Sequence, residues 1–135
     1  MGLSVGSFVP VSLEPPLVGF FVAETSATWP KILPTETFCV SVLAEDQARL
    51  SRRFAVSSTV TDKFEGVDWH CSPAGLPVLD GAVAWVDCRL HNAHEAGDHL
   101  LVLGLVEDLG VGSGSAPLVH HLGGYRRPHD LDPLV

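Results

Sequence analysis

The sequence has few cysteines, few charges and no long apolar run, and each shortage excludes a class of protein. Its three cysteines, Cys39, Cys71 and Cys88, are odd in number and far apart, which fits neither a disulfide framework nor a paired metal or redox motif. The two longest apolar runs, 17–23 and 100–106, have seven residues each, and a membrane-spanning helix needs ~20. The first ten residues carry no Lys or Arg and no signal-peptide organisation. We expect buried, reduced thiols, no membrane segment and a cytoplasmic location.

Basic residues are also scarce, because 8 Lys and Arg stand against 16 Asp and Glu, for a formal net charge of -8. An acidic surface repels polyphosphate, so the charge disfavours a nucleic-acid partner. Apolar residues make up 46% of the 135 positions, which is enough to bury a core and excludes global disorder. We expect one compact, soluble domain.

Short apolar runs that alternate with turn signals indicate a mostly β protein. Segment 17–23 follows two prolines and is rich in β-branched and aromatic residues, which favours a buried strand, and 38–43 has the same character. Segments 82–93 and 99–109 flank a turn at 95–98 and predict a long antiparallel hairpin. A brief helix at 29–33, a helix at 45–54 with an acidic start and basic end, and a last strand around 117–120 and Tyr125 complete the prediction.

Two hydroxyl residues, Ser26 and Thr28, lie at the predicted start of the first helix. Backbone amides point outward at such a start, and hydroxyl donors beside them make a workable anion site. Plain helix capping explains the two residues equally well, and the sequence leaves both interpretations open. Arg52 and Arg53, at the end of the second helix, could add charge to the same anion or simply be solvated.

The glycine-rich segment 110–116 lacks the context of a nucleotide loop or a nucleophile loop. A phosphate-binding glycine loop leads directly into a helix, whereas Pro117 and an apolar strand follow here. Gly112 to Gly114 also lacks the strand–turn–helix elbow that exposes a nucleophilic serine. We predict that the segment is a flexible linker.

Histidines and carboxylates gather around the predicted hairpin turn, which raises the question of a metal site. In a strand, His91 and His94 point to opposite faces, and no second cluster completes a ligand set. We therefore predict no metal, and a metal-binding β-barrel that uses His91, His94 and His99 stays a distant alternative. His99 itself is a polar residue at the start of an apolar strand, where a hydrogen bond to the turn is its simplest role.

Seven segments in a fixed order cover nearly the whole chain and together carry a family resemblance. They are SFVPVSLEPPLVGFFV at 7–22, TSATWP at 25–30, FCVSVLAEDQARLSRRFA at 38–55, DKFEGVDW at 62–69, PVLDGAVAWVDCRL at 77–90, GDHLLVLGLV at 97–106 and PLVHHLGGYRR at 117–127. The chain resembles the flavin reductase-like FMN-binding split barrels, the small NAD(P)H:flavin oxidoreductase components of two-component monooxygenases. The family's N-terminal helix and first strand have no match here, which implies a shortened start.

The resemblance implies a six-stranded antiparallel Greek-key β-barrel with one or two short helices, which forms a homodimer and binds FMN near the subunit interface. It implies a flavin reductase-like domain at 1–127 and a C-terminal tail at 128–135. His99, in the GDH motif, is implied as the catalytic residue on the nicotinamide side of the flavin. The residues implied to bind the cofactor are Ser4, Val5, Gly6 and Ser7 at the ring, Ser26, Thr28 and Trp29 at the phosphate loop, and Arg53 as a weaker phosphate candidate.

The activity implied is NAD(P)H-dependent reduction of flavin, by hydride transfer from C4 of NAD(P)H to flavin N5. FMN is favoured over FAD, and the reduced flavin then passes to a partner oxygenase. Gly6 stands where many relatives have Asn, and Ala27 where some have a basic residue, so weak FMN binding is expected. The alternative is a non-catalytic split-barrel protein that binds FMN or serves only for dimerisation.

Overall fold

The computed structural model describes residues 1–56 and 62–130, in which strands dominate and the helices are short. This confirms the predicted mostly β class. Single turns of 3-10 helix lie at Leu33–Thr35 and Pro128–Asp130. The strands and α-helices in chain order are β1 (Phe8–Leu13), β2 (Pro16–Ala23), α1 (Trp29–Ile32), β3 (Thr37–Val42), α2 (Ala48–Ala55), β4 (Trp69–Cys71), β5 (Pro77–Leu79), β6 (Ala84–Ala96), β7 (His99–Val111), β8 (Val119–His121) and β9 (Gly124–Arg126).

The main sheet is antiparallel and has five strands in the order β1-β2-β7-β6-β3. Its centre is the hairpin β6–β7, which confirms the hairpin predicted from the alternating pattern. The register pairs Ala96 with His99 at the turn and Ala84 with Val111 at the far end. Gly97 turns the chain at φ 66°, a backbone conformation that glycine adopts without steric cost. Two small hairpins, β4–β5 and β8–β9, pair outside this sheet.

The apolar core lies on one face of the main sheet and is built around three aromatic rings. Phe20 meets Phe38 edge-on with ring centroids 5.4 Å apart, and it meets Trp29 in the same way at 6.2 Å. Val22 and Val102 are buried beside them. Burying side chains of this size contributes roughly 1.5 to 3 kcal/mol each. Helix α1 is thus anchored to the sheet by its first residue, Trp29.

The glycine-rich segment is not a flexible linker, which corrects the prediction from composition. Strand β7 continues to Val111, and the chain beyond it is bonded to Ala82 and Val83. The amide of Gly112 donates to the Val83 carbonyl at 2.8 Å, and the amide of Gly114 donates to the Ala82 carbonyl at 3.0 Å. A Cβ atom at Gly112 would lie 2.0 Å from the Ala82 carbonyl oxygen. The glycines here allow two backbone segments to pack together.

Other differences from the predicted elements have local causes. Strand β1 was not predicted, because Pro10 interrupts its pattern; a register shift accommodates the chain between Pro10 and Ser12. Helix α2 begins at Ala48 and not at position 45, because the Ala44 amide donates to the side chain of Gln47 and a turn forms first. Hairpin β4–β5 was missed because its strands have only three residues each.

The three cysteines differ in exposure, so the expectation of buried thiols holds only in part. Cys88 is buried, Cys39 is half-buried and Cys71 is exposed. Burial raises the pKa of the Cys88 thiol to about 12. Burial, with the neighbouring Asp87 carboxylate, raises the pKa of the Cys39 thiol to about 12 as well. Both thiols are therefore neutral at physiological pH.

In the described part of the chain, no helix has the length and hydropathy of a membrane span.

Candidate functional site

The end of the sheet where β2 stops and β7 begins brings three predicted segments together. Ala23 pairs with His99, and the Glu24 amide then donates to the Asp98 carbonyl at 3.0 Å. The Phe21 amide donates to the Ser7 hydroxyl at 3.4 Å. The loop that follows β2, the start of β7 and the segment before β1 are therefore neighbours. Antiparallel pairing places them together although they are far apart in sequence.

In the loop 25–28, the two predicted hydroxyl residues have different partners. The Ser26 hydroxyl accepts a hydrogen bond from the Trp29 amide at 3.2 Å, so it caps α1. The Thr28 hydroxyl makes no capping bond. Among the described residues, the amides of Ala27 and Thr28 also have no hydrogen-bond partner. Because the Ser26 hydroxyl only accepts, its own proton is also left, and the loop offers two amides and two hydroxyls as donors, a set suited to an anionic oxygen.

Trp29 follows this loop, but its indole ring belongs to the core. The ring is 5% exposed and packs against Phe20 and Phe38. Its Nε1 atom is buried and has no partner among the described residues. Trp29 therefore fixes the position of the loop, and only its backbone lies next to the free donors.

The segment Ser4–Ser7 is fixed at one end to helix α2. The Ser4 amide donates to the Phe54 carbonyl at 3.2 Å, and the Ser4 hydroxyl donates to the Ser51 carbonyl at 2.6 Å. Carbonyl groups near a helix end lack partners within the helix, and Ser4 supplies one to Phe54. Val5 packs against the core, whereas Gly6 is exposed, with no atom within 4 Å of a Cβ built on it. The backbone around Gly6 is thus open to a ligand.

Arg53, the weaker phosphate candidate, is bound within the protein. Its Nε atom donates to the Lys63 carbonyl at 2.7 Å and its Nη2 atom to the Glu65 carbonyl at 2.5 Å. The guanidinium therefore ties α2 to the turn that follows residue 61. A lysine that sequence reasoning missed donates to the same carbonyl as the Ser4 amide: Lys63 Nζ donates to the Phe54 carbonyl at 3.1 Å. Burial lowers the pKa of Lys63. Its DKF context was its only signal in the sequence.

His99, the predicted catalytic residue, is oriented by its neighbour. Its Nδ1 atom and the Asp98 Oδ1 atom share a hydrogen bond of 2.7 Å. This bond and the charge of the imidazole lower the pKa of the Asp98 carboxyl. With Nδ1 donating to a carboxylate, Nε2 is the free ring nitrogen. The imidazole side chain is 46% exposed, so a ligand that enters from solvent can contact Nε2.

The histidine-rich turn gives no converging ligand set. Within residues 1–56 and 62–130, no group of three or more His, Cys, Asp or Glu side chains is placed to hold a metal ion. His91 and His94 belong to strand β6, and His99 begins β7. The groups that the structure places at this end of the sheet are hydrogen-bond donors, an open backbone segment and one oriented imidazole.

Comparison with known proteins gives a consistent result. The family model described as "Flavin reductase like domain" matches residues 1–129. A flavin reductase of Pseudomonas putida is 47% identical over 124 residues, which are 92% of this chain and 72% of that protein. The reductase subunit HsaB of a flavin-dependent monooxygenase from Rhodococcus jostii is 42% identical over 93% of this chain and 63% of its own length. The NADH:FMN oxidoreductase of Rhodococcus erythropolis is 38% identical, with coverages of 97% and 70%.

A solved structure is also similar to this chain in fold and in sequence. It is the NADH:FAD oxidoreductase SgcE6 of Streptomyces globisporus, in complex with NAD and FAD fragments. It superposes with a TM-score of 0.85 and 35% identity, over 93% of this chain and 75% of that one. The likeness confirms the predicted fold class. The chain spans 63 to 72% of the length of the three curated relatives named above.

Proposed function

The chain belongs to the flavin reductase-like domain family, and from this premise we propose that it is an NAD(P)H:flavin oxidoreductase that binds FMN. The observation that carries the proposal is the set of free donors in the loop 25–28, next to the open segment at Gly6 and the oriented imidazole of His99. Relatives named as flavin reductase and NADH:FMN oxidoreductase support the activity. We propose residues 1–127 as the domain and 128–135 as its tail, of which 131–135 lie outside the described residues.

The donor set fits the phosphate of FMN. A phosphate monoester presents several anionic oxygens, and the amides of Ala27 and Thr28 with the Thr28 hydroxyl can donate to them. The Ser26 hydroxyl oxygen accepts the Trp29 amide bond, which fixes the loop, while its O–H proton is left as a donor. We assign Thr28 to the ligand, and assign Ser26 and Trp29 to holding the loop. The Arg53 guanidinium contributes positive charge, but it is bound to the carbonyls of Lys63 and Glu65.

The open segment fits the planar ring. At Gly6 no side chain covers the backbone, so the polar edge of a flat heterocycle can approach the main chain of Val5, Gly6 and Ser7. Ser4 fixes this segment through its two bonds to α2. Backbone amides near the ring edge would stabilise negative charge on a reduced ring.

His99 is the group proposed to act at the nicotinamide. A bound flavin supplies the acceptor for a hydride from NAD(P)H, and the protein's part is to hold two rings in reacting geometry. His99 can orient the nicotinamide through Nε2, because Asp98 holds Nδ1. No nucleophilic side chain is required for this chemistry.

We also propose a homodimer, because the face of β1 and β2 turned away from the core carries exposed apolar side chains. Val9, Val11 and Phe21 are 44, 47 and 41% exposed. Val9 pairs with Gly19, two residues before Phe21, so these side chains share one face. We propose that a second copy of this chain covers this face.

We also propose that the protein is cytoplasmic and passes reduced flavin to a partner oxygenase. This role fits the relative named as a monooxygenase reductase subunit.

The test is an anaerobic titration with FMN, followed by addition of NADH and, in a second sample, NADPH. Loss of the flavin absorbance band faster than in a protein-free control is expected, and the two samples identify the preferred nucleotide. Repeating the titration with FAD tests the preference for FMN. Binding without faster reduction would favour the alternative of a non-catalytic flavin-binding protein. Absence of binding would contradict the proposal.

A further inference from the structure

Ser51 lies at the meeting point of three separate parts of the chain. Its carbonyl accepts a hydrogen bond from the Ser4 hydroxyl at 2.6 Å. Its own hydroxyl shares a hydrogen bond of 2.7 Å with the Tyr125 hydroxyl, 74 residues away. One residue of α2 therefore joins the N-terminal segment to the C-terminal hairpin β8–β9. We call these three residues, Ser4, Ser51 and Tyr125, the Ser51 junction.

The ring of Tyr125 is contacted by two side chains, which gives its hydroxyl a defined direction. The Arg52 guanidinium lies over the ring, 5.0 Å from its centroid. His120, from the paired strand β8, meets the ring with centroids 5.6 Å apart. A cation over an aromatic face is attracted by the ring quadrupole. The phenol is thus presented to Ser51 by both α2 and β8.

Helix α2 has only eight residues, and it is held by the buried Phe54 ring, by the Arg53 bonds and by the bonds of the Ser51 junction. Isolated helices of this length are unstable in water. The bonds from Ser4 to Phe54 and Ser51 hold the segment Ser4–Ser7 to the helix. The bond from Tyr125 to the Ser51 hydroxyl holds the same helix to the hairpin β8–β9. A shift of α2 would therefore move Ser4 and the open backbone at Gly6.

We propose that Tyr125 is a positioning residue for flavin binding, which acts through Ser51 on the segment Ser4–Ser7. The inference rests on the proposed function, because it assumes that this segment contacts the flavin ring. We assign no ligand contact to Tyr125 itself. Removal of its hydroxyl is expected to loosen the segment and to weaken FMN binding without changing the reaction of bound flavin.

The experiment uses the full chain and the variants Tyr125→Phe, Ser51→Ala and their combination. Tyr125→Phe keeps the ring contacts and removes one hydroxyl. Each single variant is expected to raise the FMN dissociation constant by about 3- to 10-fold, the range for one lost hydrogen bond. The double variant is expected to match the larger single effect, since both remove the same bond. KM for FMN should rise in parallel, with kcat within about twofold of wild type.

Ser72→Ala is the matched control, because it removes a buried hydroxyl that accepts a bond from the Leu76 amide, outside the junction. Amide hydrogen exchange in the FMN-free protein is the second readout. Faster exchange at residues 4–7 in Tyr125→Phe, and not in Ser72→Ala, is expected. If Tyr125→Phe does not fold, Ser51→Ala carries the same test.

Three results would overturn the inference alone: wild-type FMN affinity in both single variants, additive effects in the double variant, or an equal loss in Ser72→Ala. The proposed function fails in a different way. It fails if the wild-type protein does not bind FMN, and this inference would then fail with it.

Discussion

The loops 25–28 and 112–116 are both rich in small and hydroxyl residues, yet different parts of their backbones are bonded to the rest of the protein. In the second loop, the amides of Gly112 and Gly114 are bonded to the carbonyls of Val83 and Ala82. In the first loop, the amides of Ala27 and Thr28 have no partner within the described residues. The composition of the two loops is similar, but in the second loop two amides are bonded to a neighbouring main chain, whereas in the first loop two adjacent amides are left for a ligand.

Glycine has two different structural effects in this chain. At Gly112, the absent side chain lets two main chains approach until they bond, which leaves no room for a side chain there. At Gly6, the absent side chain leaves open space. Backbone donors are satisfied within the fold unless a ligand or water takes them. The predictions below test this division between structural and binding loops, from the largest expected effect to the smallest.

Replacing Gly112 with Ala is expected to give the largest effect. The new Cβ atom would lie 2.0 Å from the Ala82 carbonyl oxygen, which is main chain and cannot rotate away. We expect the free energy of unfolding to fall by about 3 kcal/mol, measured by urea denaturation. Gly6→Ala, where no atom lies within 4 Å, is the stability control and should stay within about 0.5 kcal/mol of wild type. Equal stability of the two variants would contradict the close packing of the second loop.

Replacing Thr28 with Val tests the binding loop, since valine keeps the shape and removes the hydroxyl. FMN binding should weaken by about 2 kcal/mol, the range for a hydrogen bond to a charged group. Riboflavin, which lacks the phosphate, should bind both proteins equally. Isothermal titration calorimetry measures both constants, and Thr37→Val on β3 serves as the control. A loss of riboflavin affinity equal to that for FMN would move Thr28 away from the phosphate.

His99→Ala is expected to lower kcat about tenfold, which corresponds to ~1.4 kcal/mol of barrier, and to change FMN affinity less. Asp98→Asn should give a smaller loss, because the imidazole remains and only its orienting carboxylate is lost. The Asp98 pKa is lowered, so its charged bond to His99 is present at neutral pH and is lost as the pH falls through that lowered pKa. Stopped-flow reduction of bound FMN measures these effects. A larger change in FMN affinity than in kcat would place His99 at the flavin itself.

Ser26→Ala is expected to have the smallest effect, and on stability alone. Its hydroxyl caps the Trp29 amide at 3.2 Å, and loss of such a cap costs about 1 kcal/mol. Thermal denaturation measures the change. FMN affinity at a temperature where the variant is folded should equal that of wild type. A loss of affinity like that of Thr28→Val would show that both hydroxyls bind the phosphate.

Much of the fold could be predicted from the sequence, because long elements leave strong patterns. The alternation at 84–90 and the turn at Gly97 were enough to place the hairpin β6–β7. Apolar runs were enough for β2 and β3. Strand β1 and hairpin β4–β5 could not be predicted, because a proline and a length of three residues obscure the pattern. Their pairing is set by tertiary contacts.

The site was predictable only as a set of segments. Sequence order and the family resemblance indicated Ser4–Ser7, the loop 25–28 and His99, and β2–β7 pairing with the Ser7 bond makes them neighbours. The sequence could not show that Ser26 caps the helix while Thr28 does not. The direction of the backbone decides which hydroxyl reaches the Trp29 amide. The roles of Lys63, Ser51 and Tyr125 were also hidden, since each depends on contacts between distant parts of the chain.

The most direct test of the division between the two loops is an NMR titration of 15N-labelled protein with FMN. The amide signals of Ala27 and Thr28 are expected to shift in proportion to bound FMN, whereas those of Gly112 and Gly114 stay in place. Riboflavin should leave the first pair unshifted, because it has no phosphate. Shifts at Gly112 and Gly114, with Ala27 and Thr28 unchanged, would contradict the account.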